Sequence, residues 1–151
     1  MKKNIIISSL FLSTVIFAQN KGLVANSESP YSKLQSVGLQ DVKWTNGFWK
    51  EQFDVETKNT LPYMWDLYHN DEVSHAYKNF EIAAGLSKGA FKGPSFHDGD
   101  FYKIFEGMAA TYAVTKDKKL DAEMDKAIAL FAKVQRKDGY IHTPVLIDER
   151  W

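Results

Sequence analysis

Phe96-His97-Asp98-Gly99-Asp100-Phe101-Tyr102-Lys103 gathers an imidazole, paired carboxylates, a phenol and an amine into one short segment, and Asp138-Gly139-Tyr140 follows further along. Carboxylates accept hydrogen bonds from hydroxyls, and flat rings cover the apolar faces of a sugar. Short loops that mix the two have the chemistry of a sugar-binding rim. His97, Asp98, Asp100, Tyr102, Lys103, Asp138 and Tyr140 are therefore the candidate substrate-binding residues. The local alternative is structural: Asp98 or Asp100 is a natural helix N-cap, and Asp138-Gly139 fits a tight turn with Tyr140 packed beside it. Glu106 lies on the helix that follows and could serve as an acid or simply face water.

Other chemistries are poorly supplied. The chain has no cysteine, which removes thiolate nucleophiles and zinc–thiolate sites. Its histidines show no i, i+4 pair of the kind that binds zinc on a helix, so no metal site is expected. Nothing resembles a nucleophile elbow, a phosphate loop or a dinucleotide fingerprint. The formal net charge of the 151 residues is zero, which gives no electrostatic case for nucleic acid or an anionic membrane.

The elements that must position these residues are helical. Phe101, Ile104, Phe105, Met108 and Tyr112 recur at three- and four-residue spacing, and so do Leu120, Met124, Ile128, Phe131 and Val134. The spacing predicts amphipathic helices over about 99–114 and 120–135, started by Asp98 or Asp100 and by Asp117 or Asp121. Thr115–Lys119 between them is short enough to force an antiparallel hairpin. Earlier helices are expected over about 48–67, where Pro62 should kink or restart the helix, and 76–86, ended by Gly85 and Gly89. Leu39–Trp44 alternates apolar and polar, the pattern of a short strand, and Thr45-Asn46-Gly47 reads as a turn. Trp44, Phe48 and Trp49 are expected in the core at that junction. The body is thus all-α, built of helical hairpins with a short N-terminal strand, and suggests a bundle, superhelix or toroid.

The start of the chain reads as a processing signal. Lys2-Lys3 precedes an uncharged, mostly apolar run from Ile5 to Phe17, and Ala18 offers a cleavage point. The run is shorter than the roughly 20 residues a spanning helix needs. Residues 1–18 are assigned to a signal peptide, 19–38 to a polar, flexible leader and 39–151 to the folded body. A secreted or periplasmic product without a stable membrane anchor is expected. Without disulfides, a packed core must stabilise it.

Taken as a set, the motifs resemble a known family. Asn46-Gly47-Phe48-Trp49, Leu61-Pro62-Tyr63, Asn79-Phe80 with Ala83-Ala84-Gly85, and Phe91-Lys92-Gly93 come first. They are followed by the aspartate-x-aspartate-x-tyrosine-lysine run at Asp98–Lys103 and by Gln135-Arg136-Lys137-Asp138-Gly139-Tyr140-Ile141. Their order is similar to that of glycoside hydrolase family 127, the β-L-arabinofuranosidase-like six-hairpin enzymes. Here Gly99 stands in place of the family's serine and Phe105 in place of a leucine. The resemblance implies the first part of an (α/α)6 toroid and a retaining exo-hydrolase that removes terminal L-arabinofuranose from plant-type glycans. It implies a zinc-held cysteine nucleophile and a glutamate acid/base, all downstream of the matched segment. No catalytic residue or cofactor is therefore expected in this chain itself, although Zn2+ is implied for a full-length member. The segment is expected to be an inactive N-terminal piece of a longer enzyme, with apolar helix faces left uncovered. Two other readings stay open: an unsaturated glucuronyl hydrolase-like six-hairpin enzyme using Asp98 or Asp100 as acid/base, and a non-catalytic helical module that binds carbohydrate or protein.

Overall fold

A computed structural model gives the structure of the chain, and it describes residues 23–26 and 28–149. The signal assigned to residues 1–18 lies outside them. The chain divides between Gly38 and Leu39 into two units. In the first, the Asn26 side chain donates to Ser32 Oγ at 3.0 Å and to the Leu34 carbonyl at 2.8 Å, folding an otherwise irregular segment back on itself.

The second unit is helical. A 3-10 turn over Leu39–Asp41 is followed by α1 (Phe48–Val55), a π turn (Glu56–Thr60), α2 (Leu61–His69), α3 (Ala76–Ala83), α4 (His97–Thr115), α5 (Lys118–Val134) and α6 (Thr143–Asp148). The strand expected over Leu39–Trp44 is not formed. Among the described residues there is no strand for it to pair with, and a lone strand leaves its backbone groups unsatisfied. Its first residues wind into the 3-10 turn against α4 instead, and Val42 and Trp44 stay exposed.

Pro62 does not break the first long helix: the backbone at Val55, Thr60 and Leu61 stays α-helical around the π turn. The proline falls in the first turn of α2, where a missing N–H does no harm. The π turn just before it inserts one residue relative to regular winding. Counted without that residue, Phe53 and Leu61 are seven positions apart, nearly two turns, so they share a face. α3 ends where Gly85 takes φ +71° and donates to the Ile82 carbonyl at 2.9 Å. This is the left-handed stop that glycine permits. Only Lys116 and Asp117 separate α4 from α5. Lys116 adopts a left-handed conformation and donates to the Tyr112 carbonyl, and Asp117 caps α5 by accepting from Lys119 N–H at 2.8 Å.

The core lies where α2, α3, α4 and α5 meet. Phe101, fully buried, stands at its centre, stacked on Trp65 at 5.4 Å with 21° between ring planes, and against Phe80 at 5.4 Å. α5 contributes Met124, Ala127, Leu130 and Val134. Ile128, expected in that stripe, points outward at 52% exposure. Nor is the aromatic cluster at the α1 junction core: Phe48 and Trp49 are more than half exposed. They touch each other edge to face, and Trp44 leans on Phe53. Apolar character makes those rings seek cover, but this segment supplies too little neighbouring surface to provide it.

Candidate functional site

The Phe96–Lys103 run forms the N-terminal turns of α4, and its residues divide into three settings. Asp98 is the most constrained, at 2% exposure. Its carboxylate accepts from the Thr143 backbone N–H at 2.5 Å and from Thr143 Oγ at 2.7 Å, and His142 Nδ1 stands 3.4 Å away. Asp98 does not cap its own helix; the N-cap position of α4 is Phe96, which makes no side-chain cap. The first turn of α4 still gains from two carboxylates near its positive end.

Asp100 and Lys103 occupy the second setting. They pair with each other at 3.0 Å on an open face of α4. Glu106, two turns into the helix, is exposed.

His97 defines the third setting. Its Nε2 lies 3.3 Å from Ser74 Oγ, while its Nδ1 is buried without a hydrogen-bond partner among the described residues. Gly93, at φ +101°, lets the ring come this close, since a Cβ there would lie 2.5 Å from Nδ1. Tyr102 is half-buried, with its hydroxyl also unpartnered. Burial first, and the Asp98 charge second, raise its pKa well above that of an ordinary tyrosine.

Asp138 and Tyr140 lie on a turn closed by a bond from Gly139 N–H to the Arg136 carbonyl at 2.9 Å and one from Arg136 N–H to the Tyr140 carbonyl at 3.0 Å. Gly139 takes φ +88° there. Asp138 accepts from Tyr140 N–H at 3.1 Å and faces the Arg136 guanidinium at 3.4 Å. That guanidinium lies over the Tyr140 ring, and the His142 ring meets the same tyrosine edge-on at 6.4 Å. The structure therefore joins Asp98 to the Asp138–His142 loop. His142 and Thr143, which sequence reasoning left out of the site, are the joint. Local spacing gave no signal for either.

A separate groove of about 920 Å3 runs between α1–α2 and the hairpin of α4 and α5. It is lined by Phe53, Leu61, Trp65, Met108, Leu120 and Glu123, among others. None of the seven candidate residues lines it. Among the described residues no three His, Asp or Glu side chains gather closely enough to hold a metal ion. The chain has no cysteine, so the thiolate implied by the family motifs is not among its residues.

Residues 41–151 match the family model described as the β-L-arabinofuranosidase GH127 catalytic domain. The chain belongs to the GH127 family. It is 34% identical to a non-reducing end β-L-arabinofuranosidase of Bifidobacterium longum subsp. longum, over 71% of this chain and 19% of that protein. The crystal structure of a GH127 β-L-arabinofuranosidase from Geobacillus stearothermophilus T6 superposes with a TM-score of 0.68 at 37% identity, over 73% of this chain and 18% of the other. A second GH127 β-arabinofuranosidase gives 0.61 at 31% identity, covering 72% and 17%. The helices described above are thus the opening part of the GH127 helical toroid. The chain spans about a fifth of the length of these relatives.

Proposed function

We propose that this chain is the N-terminal segment of a glycoside hydrolase that releases terminal L-arabinofuranose from plant-type glycans. It enters an exported protein through residues 1–18 and is not catalytic by itself. The observation that carries this reading is the joint between Asp98 on α4 and the Asp138–His142 loop. It brings two GH127 motifs together, and the loop it holds offers the Asp138 carboxylate, the His142 imidazole and the Tyr140 phenol on a partly open rim. Sugar hydroxyls would meet acceptors and donors there, and the Tyr140 ring offers a face for stacking. Residues 19–38 serve as a leader and 39–151 as the first part of the toroid. The nucleophile, the acid/base and any zinc would come from outside this segment.

The test is a graft. The chain is expressed alone and also in place of the matching N-terminal segment of the Geobacillus relative, and both products are assayed with an aryl β-L-arabinofuranoside. Hydrolysis by the graft and none by the chain alone is the expected result. A folded graft that releases no arabinose would overturn the arabinofuranosidase reading. Turnover by the chain alone would overturn its inactivity. Mass spectrometry of the exported product should place the new N-terminus just after Ala18, and a retained Met1 would count against the signal.

A further inference from the structure

The free N–H groups at a helix start need acceptors. α6 lacks a local one: its N-cap residue, His142, makes no side-chain bond to the helix. The acceptor comes from 45 residues earlier in the chain. Asp98 Oδ2 takes the Thr143 N–H and Oδ1 takes the Thr143 hydroxyl, and Thr143 itself is fully buried. Asp98 also belongs to the first turn of α4. One carboxylate thus stands at the N-terminal ends of two helices. Its ionisable neighbours among the described residues include His142, 3.4 Å away, and Tyr102, whose pKa its charge helps to raise. At 2% exposure, Asp98 is closed to hydroxyls arriving from solvent.

We propose that Asp98 is a positioning residue. It caps α6 from another helix in place of the missing local cap, and so fixes the Asp138–His142 loop, with the His142 ring, over the N-terminus of α4. That this loop faces a sugar rests on the arabinofuranosidase reading; the anchoring does not. Sugar contact then falls to the half-exposed Tyr140 and His142 rings.

The experiment uses the whole chain, isotopically labelled, with two NMR readouts. The first is amide hydrogen exchange. Asp98→Ala should speed exchange at Thr143, Val145 and Leu146 by about tenfold or more, as expected for losing one or two hydrogen bonds. Amides in the middle of α5 should keep their protection. Thr143→Ser, which keeps both donors, should match the parent chain.

The second readout is the His142 tautomer in alkaline buffer, where imidazole is neutral. The parent chain and Thr143→Val should carry the proton on Nδ1, facing Asp98, and Asp98→Ala should move it to Nε2. General destabilisation would not produce that shift. If Asp98→Ala does not fold, Asp98→Asn replaces it. The asparagine retains one acceptor and should still speed exchange at Thr143. Unchanged exchange at α6, equal loss of protection throughout the chain, or a tautomer indifferent to residue 98 would each overturn the proposal. A graft that folds but hydrolyses nothing would leave these readouts untouched, so the two readings fail separately.

Discussion

The side chain of Asn79 meets the backbone of Lys92 as one peptide group meets another. Its Nδ2 donates to the Lys92 carbonyl at 2.8 Å, and its Oδ1 accepts from the Lys92 N–H at 3.2 Å. Asn79 is fully buried. The pair closes the loop between α3 and α4 and holds it beside Phe91, which is 5% exposed. Asn79→Ala strips partners from both backbone groups and should cost about 2–3 kcal/mol. Urea denaturation followed by circular dichroism measures it. An unchanged midpoint would show that the loop is held by other contacts.

Gly93 answers to backbone and packing at once. At φ +101° an alanine is strained, and its Cβ would press on His97 Nδ1. Gly93→Ala should destabilise by about 2 kcal/mol or more. Adding His97→Ala removes the collision but not the backbone strain, so the double variant should be less unstable than the sum of the singles. Simple additivity in the double-mutant cycle would place the whole penalty in the backbone.

Phe101 and Ile128 test where the core lies. Phe101 is closed in by Trp65, Phe80, Tyr77 and Phe131, and Phe101→Ala should cost about 3–5 kcal/mol. Ile128→Ala, at a site facing water, should change stability by about 0.5 kcal/mol or less. A comparable loss at both positions, measured by thermal unfolding, would contradict the packing described for α5.

Alkaline pH should unfold the chain through its buried phenols. Burial raises the pKa values of Tyr102, Tyr68 and Tyr77, while in the unfolded chain a tyrosine loses its proton near pH 10. Above that point the folded state binds more protons than the unfolded one. Stability is therefore unaffected below about pH 10 and declines as pH rises further. Tyr102→Phe removes the most strongly shifted group and should make the decline shallower, with little cost at neutral pH because its hydroxyl has no partner to lose. Denaturation midpoints at graded pH check this. A decline as steep as in the parent chain would assign the effect to other tyrosines.

The helices were readable because amphipathic spacing is written within a turn or two of each residue. The stripes from Phe101 to Tyr112 and from Leu120 to Val134, and the stop at Gly85, depend on neighbours a sequence reader can see. Ile128 misled because the small Ala127 and the neighbouring Leu130 carry the buried face, and hydrophobicity ranks isoleucine above alanine. Leu39–Trp44 misled because alternation cannot say whether a partner strand exists. Trp44, Phe48 and Trp49 carry a demand for cover, but nothing in their own spacing says where the cover comes from. Asp98 shows the limit for the site. Its local setting suggests an N-cap, yet the groups that engage it come from Thr143 and His142, beyond the reach of any local rule. The order of the family motifs identified the segment better than the meaning of any one of them.

The π turn over Glu56–Thr60 makes residue count in that stretch a matter of rotation as well as length. Deleting any one of its residues lets the chain wind regularly, and Phe53 then stands seven positions before Leu61, close to two full turns. Phe48–Val55 would keep its facing against Leu61–His69, whereas losing a second residue would swivel it by about 100° and take Phe53 off the side it shares with Leu61 and Trp65. A single-codon loss here should thus be tolerated better than a two-codon loss, although neither removes a core side chain.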